Sequence, residues 1–402
     1  MPHPVRYIRR ARVITLDPQR CAPANPLGVV ERADVSIRDG IVESLDDGGQ
    51  ADAGSAPDVM DAEGGVVMPG LVDCHTHLCW AGSRLDEWER KLGGASYLEL
   101  LAAGGGIMST VRAVRAASRD ELADRTLERL RVALSLGTTT IEIKSGYGLS
   151  AEHELKMLRA IGDAASRWPG TVVRTALLGH AIDPEAASPA EFVDRTIDET
   201  LAAVHEEFPG MTVDAYCETG AWSARDCVRL FERAREFGHP IRVHADQFNS
   251  LGMVREAIRL GAVSVDHLEA TGAADWGMIA GSRTAAVILP CCGFHLDNRY
   301  ARPPNGIPVC IATNANPGSA PCVSMPMALA LAVRACGVPI PEAILGATAR
   351  PARLLGLPDR GVIRPGARAD LLLLSTSDER DLMYRFGDAS MIRSVVVGGA
   401  RG

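Results

Sequence analysis

The stretch 66-VVMPGLVDCHTHLCWAGSR-84 starts as a buried apolar strand and ends in Asp73, His75 and His77. Residues two apart in a strand point to the same face, so His75 and His77 aim together. Two convergent imidazoles at the C-terminal end of a parallel strand can hold a divalent metal, although an arbitrary His-x-His pair is more often satisfied by hydrogen bonds. Outward from this strand the chain alternates helical and strand signals. Ser118 stands three residues before Glu121, a capping box, and Leu122, Leu127, Leu130 and Leu134 follow at helical spacing up to Gly137. The β-branched run 138-TTTIEI comes next. Ser188 with Glu191 then predicts a helix to about Phe208 before 212-TVDAYC, and Ser223 with Asp226 a helix to about Phe237 before 241-IRVHA. Short apolar runs continue at 263-VSVDH, 286-AVILP and 308-PVCIAT, followed by the helical 324-SMPMALALAVRACG.

This alternation implies an α/β protein with a parallel sheet, and about eight strand starts favour a closed (β/α)8 TIM-like barrel. Residues 1–65 and 362–402 instead carry short β runs between Gly, Pro and Asp turns, and the barrel offers those strands no partners. Both termini are therefore predicted to build one small β-sandwich domain, with the barrel over residues 66–361. Three further histidines close β runs: His180 after 171-TVVRTALLG, His244 and His267. One strand-end histidine alone reads as structural; several on one rim of a barrel read as a site. His3, His153, His205, His239 and His295 fall in loops or on helical faces and are given no role.

Of the 402 residues 47% are hydrophobic and 23% charged, the balance of a folded globular chain. A net charge of −8 without a basic stripe argues against nucleic acid as a partner. No apolar stretch reaches the ~18 residues of a membrane span. MPHPVRYIRRARVITLDP lacks the apolar core of a secretory signal. The ten cysteines include one adjacent pair, Cys291-Cys292, and no Cys-x-x-Cys, so they read as reduced thiols in a cytoplasmic protein.

Pro-Gly-Leu-Val-Asp-x-His-Thr-His on a first barrel strand resembles the metal-dependent amidohydrolase superfamily. HTHLCWAGSR, AAGGGIMSTVRA, EIKSGYGL, HADQF, DHLEAT and NANPGS, in that order, are similar to the imidazolonepropionases, the ring-opening enzymes of histidine degradation. The resemblance runs from about residue 66 to residue 350. It implies one divalent metal per chain, Zn2+ or Fe, held by His75, His77 and His244, and a homodimer by family habit. It also implies a substrate pocket of Arg84, Tyr147, His180, Gln247, Asn316, Gly318 and Ser319. The chemistry of these side chains suits the assignment. Arg84 offers a planar fork of donors for a carboxylate, and Gln247 and His180 give directional hydrogen bonds to a flat polar ring. His267 is expected to polarise the carbonyl or stabilise the oxyanion. Lys144 resembles its counterpart in the single-metal branch and is left out of the metal shell.

One position departs from the family. Where its members carry an aspartate, Ala-Thr-Asp-x-Asn-Pro-Gly-Ser, this chain has 312-ATNANPGS with Asn314. The aspartate is the family's expected metal ligand and proton shuttle. An asparagine offers an oxygen but cycles no proton, and losing a positioned base costs roughly 10²–10⁴-fold. The stretch 294-FHLDNRYARPPNGIPV is also tighter than the resemblance implies. The expected activity is hydrolysis of the cyclic amide of 4-imidazolone-5-propanoate to N-formimidoyl-L-glutamate. The rivals are a related amidohydrolase on another carboxylated cyclic amide or N-formimino compound, and a binding homologue impaired by Asn314.

Overall fold

A computed structural model describes residues 3–48, 57–94 and 105–401. The opening residues of AAGGGIMSTVRA, Ala102 to Gly104, lie outside the described ones. Two sheets organise the molecule. The first is mixed and takes strands from both termini: β1 (Tyr7–Ile14), β2 (Val29–Arg38), β3 (Ile41–Asp47), β4 (Val59–Asp61), β5 (Val66–Pro69), β14 (Leu371–Leu374), β15 (Ile392–Val397) and β16 (Ala400–Arg401). Its order is β16-β15-β14-β5-β1-β2-β3, with β4 also pairing β1. The second sheet is parallel and runs in sequence order: β6 (Leu71–Asp73), β7 (Thr138–Lys144), β8 (Thr171–Gly179), β9 (Thr212–Cys217), β10 (Ile241–Ala245), β11 (Ser264–His267), β12 (Ala285–Ile288) and β13 (Val309–Ile311). Just beyond the strand ends the seam between β13 and β6 is tied. Asn314 N–H donates to His75 O at 3.0 Å and His77 N–H to Ala315 O at 2.9 Å.

The stretch read as one strand divides at Pro69-Gly70. Val66–Pro69 pairs in the terminal sheet and Leu71–Asp73 in the barrel. Gly70 permits the changeover because a Cβ there would lie 2.2 Å from Thr139 Oγ1. The period-2 pleat then explains the unbroken apolar runs on either side. Val66 and Met68 face the barrel core while Val67 faces the terminal core, and Leu372 and Leu374 divide from Leu371 and Leu373 in the same way. One face of the terminal sheet thus covers the barrel and the other has a core of its own.

The capping residues act as the sequence implied. Ser118, Ser188 and Ser223 accept the backbone N–H of Glu121, Glu191 and Asp226 at 3.1, 3.2 and 3.2 Å, opening helices Arg119–Ser135, Pro189–Arg195 and Ala224–Glu236. The second helix passes through a wider turn at Thr196–Thr200 before it continues over Leu201–Glu207. All ten cysteines are free. Among the described residues no helix is long and apolar enough to cross a membrane.

Candidate active site

His75 and His77 follow β6, His244 lies on β10, and each is buried. Their ligand nitrogens all lie within 4.8 Å of one another. His75 Nδ1 donates to Asp266 Oδ2 at 2.6 Å, which turns a lone pair on Nε2 inward, and that Nε2 is buried without a partner among the described residues. His244 Nδ1 is 3.2 Å from Asp214 Oδ1, and its Nε2 faces His77 Nε2 at 3.3 Å. Burial and the neighbouring cations hold His75 and His77 well below the usual imidazole range, so both stay neutral. The 3.3 Å between these two ring nitrogens matches the edge of a tetrahedron with metal–nitrogen bonds of ~2.0–2.1 Å. The donor set fits a divalent cation.

Behind the imidazoles stand two buried ion-pair chains. Lys144 Nζ sits 2.8 Å from both Glu142 Oε1 and Asp214 Oδ2, and Asp214 carries His244. Arg242 Nη2 sits 2.7 Å from Asp266 Oδ2, which carries His75. Burial opposes charge on Asp214, but His244 and Lys144 hold its carboxylate well below the usual range. Lys144 is thus an anchor for a carboxylate, as its exclusion from the metal shell requires. Asp214, Asp266 and Arg242 were missed as site residues. Their signal was present: Glu142/Lys144, Asp214/Tyr216, Arg242/His244 and Ser264/Asp266 are polar pairs two apart on otherwise apolar strands, the mark of an inward polar face.

Asn314 adopts φ 58°, left-handed backbone that asparagine tolerates. Its Oδ1 is buried and unpartnered among the described residues, as an oxygen kept for a cation would be. Asn316 spends its side chain within its own turn: Oδ1 accepts the N–H groups of Gly318 and Ser319, and Nδ2 donates to Asn314 O. It shapes the turn that carries Asn314, Gly318 and Ser319.

His180 Nδ1 donates to Gly146 O at 2.9 Å and its ring stacks on His77 at 5.1 Å. Burial pushes it down to about 3, so it is a neutral ring whose Nε2 only accepts. Tyr147 packs against both His77 and His180. Arg84 stands just before the helix Leu85–Leu92 without a side-chain cap bond, pairs with Glu87 at 2.6 Å and lies beside Gly318. His267 sits 5.5 Å from the His244 ring and 3.2 Å, at Nδ1, from Glu269 Oε1. Burial works against its charge, but Glu269 and Cys292 outweigh that and raise it to about 10. Gln247 is clamped: Tyr216 donates to Oε1 at 2.7 Å, and Nε2 donates to Cys292 Sγ at 3.2 Å.

Two models described as "Amidohydrolase family" match residues 58–95 and 295–401. Among solved structures, a 5-methylcytosine deaminase from Klebsiella pneumoniae liganded with 5-fluorocytosine covers 98% of this chain and 96% of its own, with a TM-score of 0.75 at 17% identity. An adenosine deaminase from Xanthomonas campestris with bound zinc covers 100% and 93% with a TM-score of 0.66, also at 17% identity. These two share the fold. Closer in sequence is an imidazolonepropionase of Herpetosiphon aurantiacus, 40% identical over 405 residues, 96% of this chain and 95% of the relative. Another, of Deinococcus radiodurans, is 41% identical over 388 residues, 96% and 95% of the two chains. With such identity over nearly the whole of both chains, and the histidines of the shared motifs gathered on one rim, this chain belongs to the imidazolonepropionase family.

Proposed function

We propose that this chain hydrolyses the cyclic amide of 4-imidazolone-5-propanoate to N-formimidoyl-L-glutamate, the ring-opening step of histidine degradation. The observation that carries the reading is the convergence of three neutral imidazoles beside an acceptor-only His180. His75, His77 and His244, with Asn314 Oδ1, would hold one divalent metal, and three imidazoles suit zinc and iron alike. When bound there, the metal supplies Lewis-acid polarisation and a water acidic enough to attack at neutral pH.

The chain's own residues do the rest. Arg84 takes the propionate carboxylate in exchange for Glu87. His180 Nε2 accepts a ring N–H, and Tyr147 walls the ring from solvent. Gln247, its amide oriented by Tyr216 and Cys292, hydrogen-bonds the ring edge. Gly318 lets substrate approach the backbone beside Arg84, and Ser319 closes the same turn. His267, charged and braced by Glu269, donates to the carbonyl oxygen as negative charge develops there. Water adds to the carbonyl carbon, the ring C–N bond breaks, and the departing nitrogen takes a proton. Asn314 cannot deliver that proton, so turnover in this chain is slow. The same residue favours a second reading, a homologue that binds this substrate class with little turnover.

Loss of 4-imidazolone-5-propanoate and formation of N-formimidoyl-L-glutamate are followed with the metal-loaded chain and with Asn314→Asp. The expected result is slow turnover in the unaltered chain and a kcat higher by roughly 10²-fold or more in the variant. Tight binding with no product from either protein supports the binding homologue. Neither binding nor product, with hydrolysis of another carboxylated cyclic amide, moves the chain to a different substrate.

A further inference from the structure

Beside the three-imidazole centre lies a second group of donors of different chemistry. His267 ends β11, Glu269 follows two residues on, and Cys292 sits in the first turn of the helix Pro290–His295 beyond β12. One ligand atom from each lies within 4.8 Å of the other two. Glu269 is half-buried as a residue but its side chain is only 4% exposed, and its Oε2 has no hydrogen-bond partner among the described residues. Cys292 Sγ accepts from Gln247 Nε2 at 3.2 Å, so its lone pairs face the group. A small cleft lined by Gln247, Phe248, Glu269, Cys292 and Arg299 borders two of the three donors.

We infer that His267, Glu269 and Cys292 form a second cation site, selective for a soft or borderline divalent metal such as zinc or cadmium. Imidazole, carboxylate and thiolate together are a zinc-type donor set, whereas the first centre offers only nitrogen and amide oxygen. Two anionic ligands here offset the charge of a cation in the neighbouring centre, and hydrolases hold dications as close as ~3.5–4 Å. Binding releases the protons of the Cys292 thiol and of His267 to the buffer. Glu269 would then bond the metal with the oxygen that now has no partner. Filling the site takes His267 away from the ring carbonyl, so it also slows hydrolysis. That consequence rests on the proposed function; the binding itself does not.

The metal-stripped full chain is titrated with cobalt(II) and, separately, zinc. Two equivalents are expected, with sulfur-to-cobalt charge-transfer absorption growing as one of the two binds. Cys292→Ala should bind one equivalent with no such absorption, while Cys322→Ala, which removes another thiol of this rim, should keep both. Glu269→Gln should weaken the sulfur-bearing equivalent by at least ~10-fold. Should Cys292→Ala not fold, X-ray absorption of the unaltered chain at two equivalents of zinc decides the matter by a zinc–sulfur shell near ~2.3 Å. One equivalent without sulfur in the unaltered chain, or a sulfur signal that survives Cys292→Ala or vanishes in Cys322→Ala, overturns the site. Sulfur-bearing binding that leaves hydrolysis unslowed keeps the site and overturns the role given to His267.

Discussion

His75 and His244 each reach the centre with one ring nitrogen and are held from behind by a carboxylate on the other. Each carboxylate is in turn pinned by a buried cation, Arg242 behind Asp266 and Lys144 behind Asp214. Such partners fix the tautomer and raise the basicity of a ligating imidazole. Asp266→Asn and Asp214→Asn should therefore each lower metal affinity by about 10–100-fold while the fold persists. Competition against a chelator of known affinity measures this, and an unchanged affinity in both variants would show that the carboxylates serve packing alone. The imidazoles themselves were legible from His-x-His and from strand-end positions. Their carboxylate partners were not picked out, because each lies on another strand: Asp214 meets His244 from the neighbouring β9, and Asp266 meets His75 across the barrel from β11.

Among the elements, the strand that enters the barrel shows how a local rule and a tertiary demand meet. Val66 to Asp73 has the composition of one continuous strand, yet Pro69 lacks an N–H and Gly70 lacks a side chain, and the chain changes sheets between them. Gly70→Ala should press a Cβ against Thr139 and cost about 1–3 kcal/mol, read as a lower midpoint in urea with an unchanged slope. A variant as stable as the parent would mean that Thr139 swings aside freely. Caps were easier to read than this break, since a serine three residues before Glu121, Glu191 or Asp226 carries its hydrogen bond within four residues of chain. We propose that the barrel unit begins at Gly70, with Val66–Pro69 belonging to the terminal unit.

For the whole molecule, two buried histidines pull stability in opposite directions with pH. His180 is held down to about 3 in the folded chain, mainly by burial, against ~6.5 unfolded. As pH falls below ~6.5 the unfolded chain gains a proton that the folded one refuses, so stability is lost on the way to pH ~3. His267 is held up at about 10 against burial by Glu269 and Cys292, so its contribution is complete below ~6.5 and is lost as pH rises toward ~10. Urea unfolding of the metal-free protein should show a maximum between these limbs, and His267→Asn should flatten the alkaline one. A steady rise in stability from pH 5 to 9 would contradict the assignment of His267, and stability that does not fall between pH 6 and 4 would contradict that of His180. By itself the sequence determined the alternation of strands and helices, the placement of histidines at strand ends and the asparagine at position 314, since each depends on neighbours a few residues away. Tertiary structure alone decided which carboxylates stand behind which imidazoles, where the entering strand changes sheets, and that Cys292 reaches His267 and Glu269. Those pairings join residues far apart in the chain, and only closure of the barrel brings their side chains within a few ångströms.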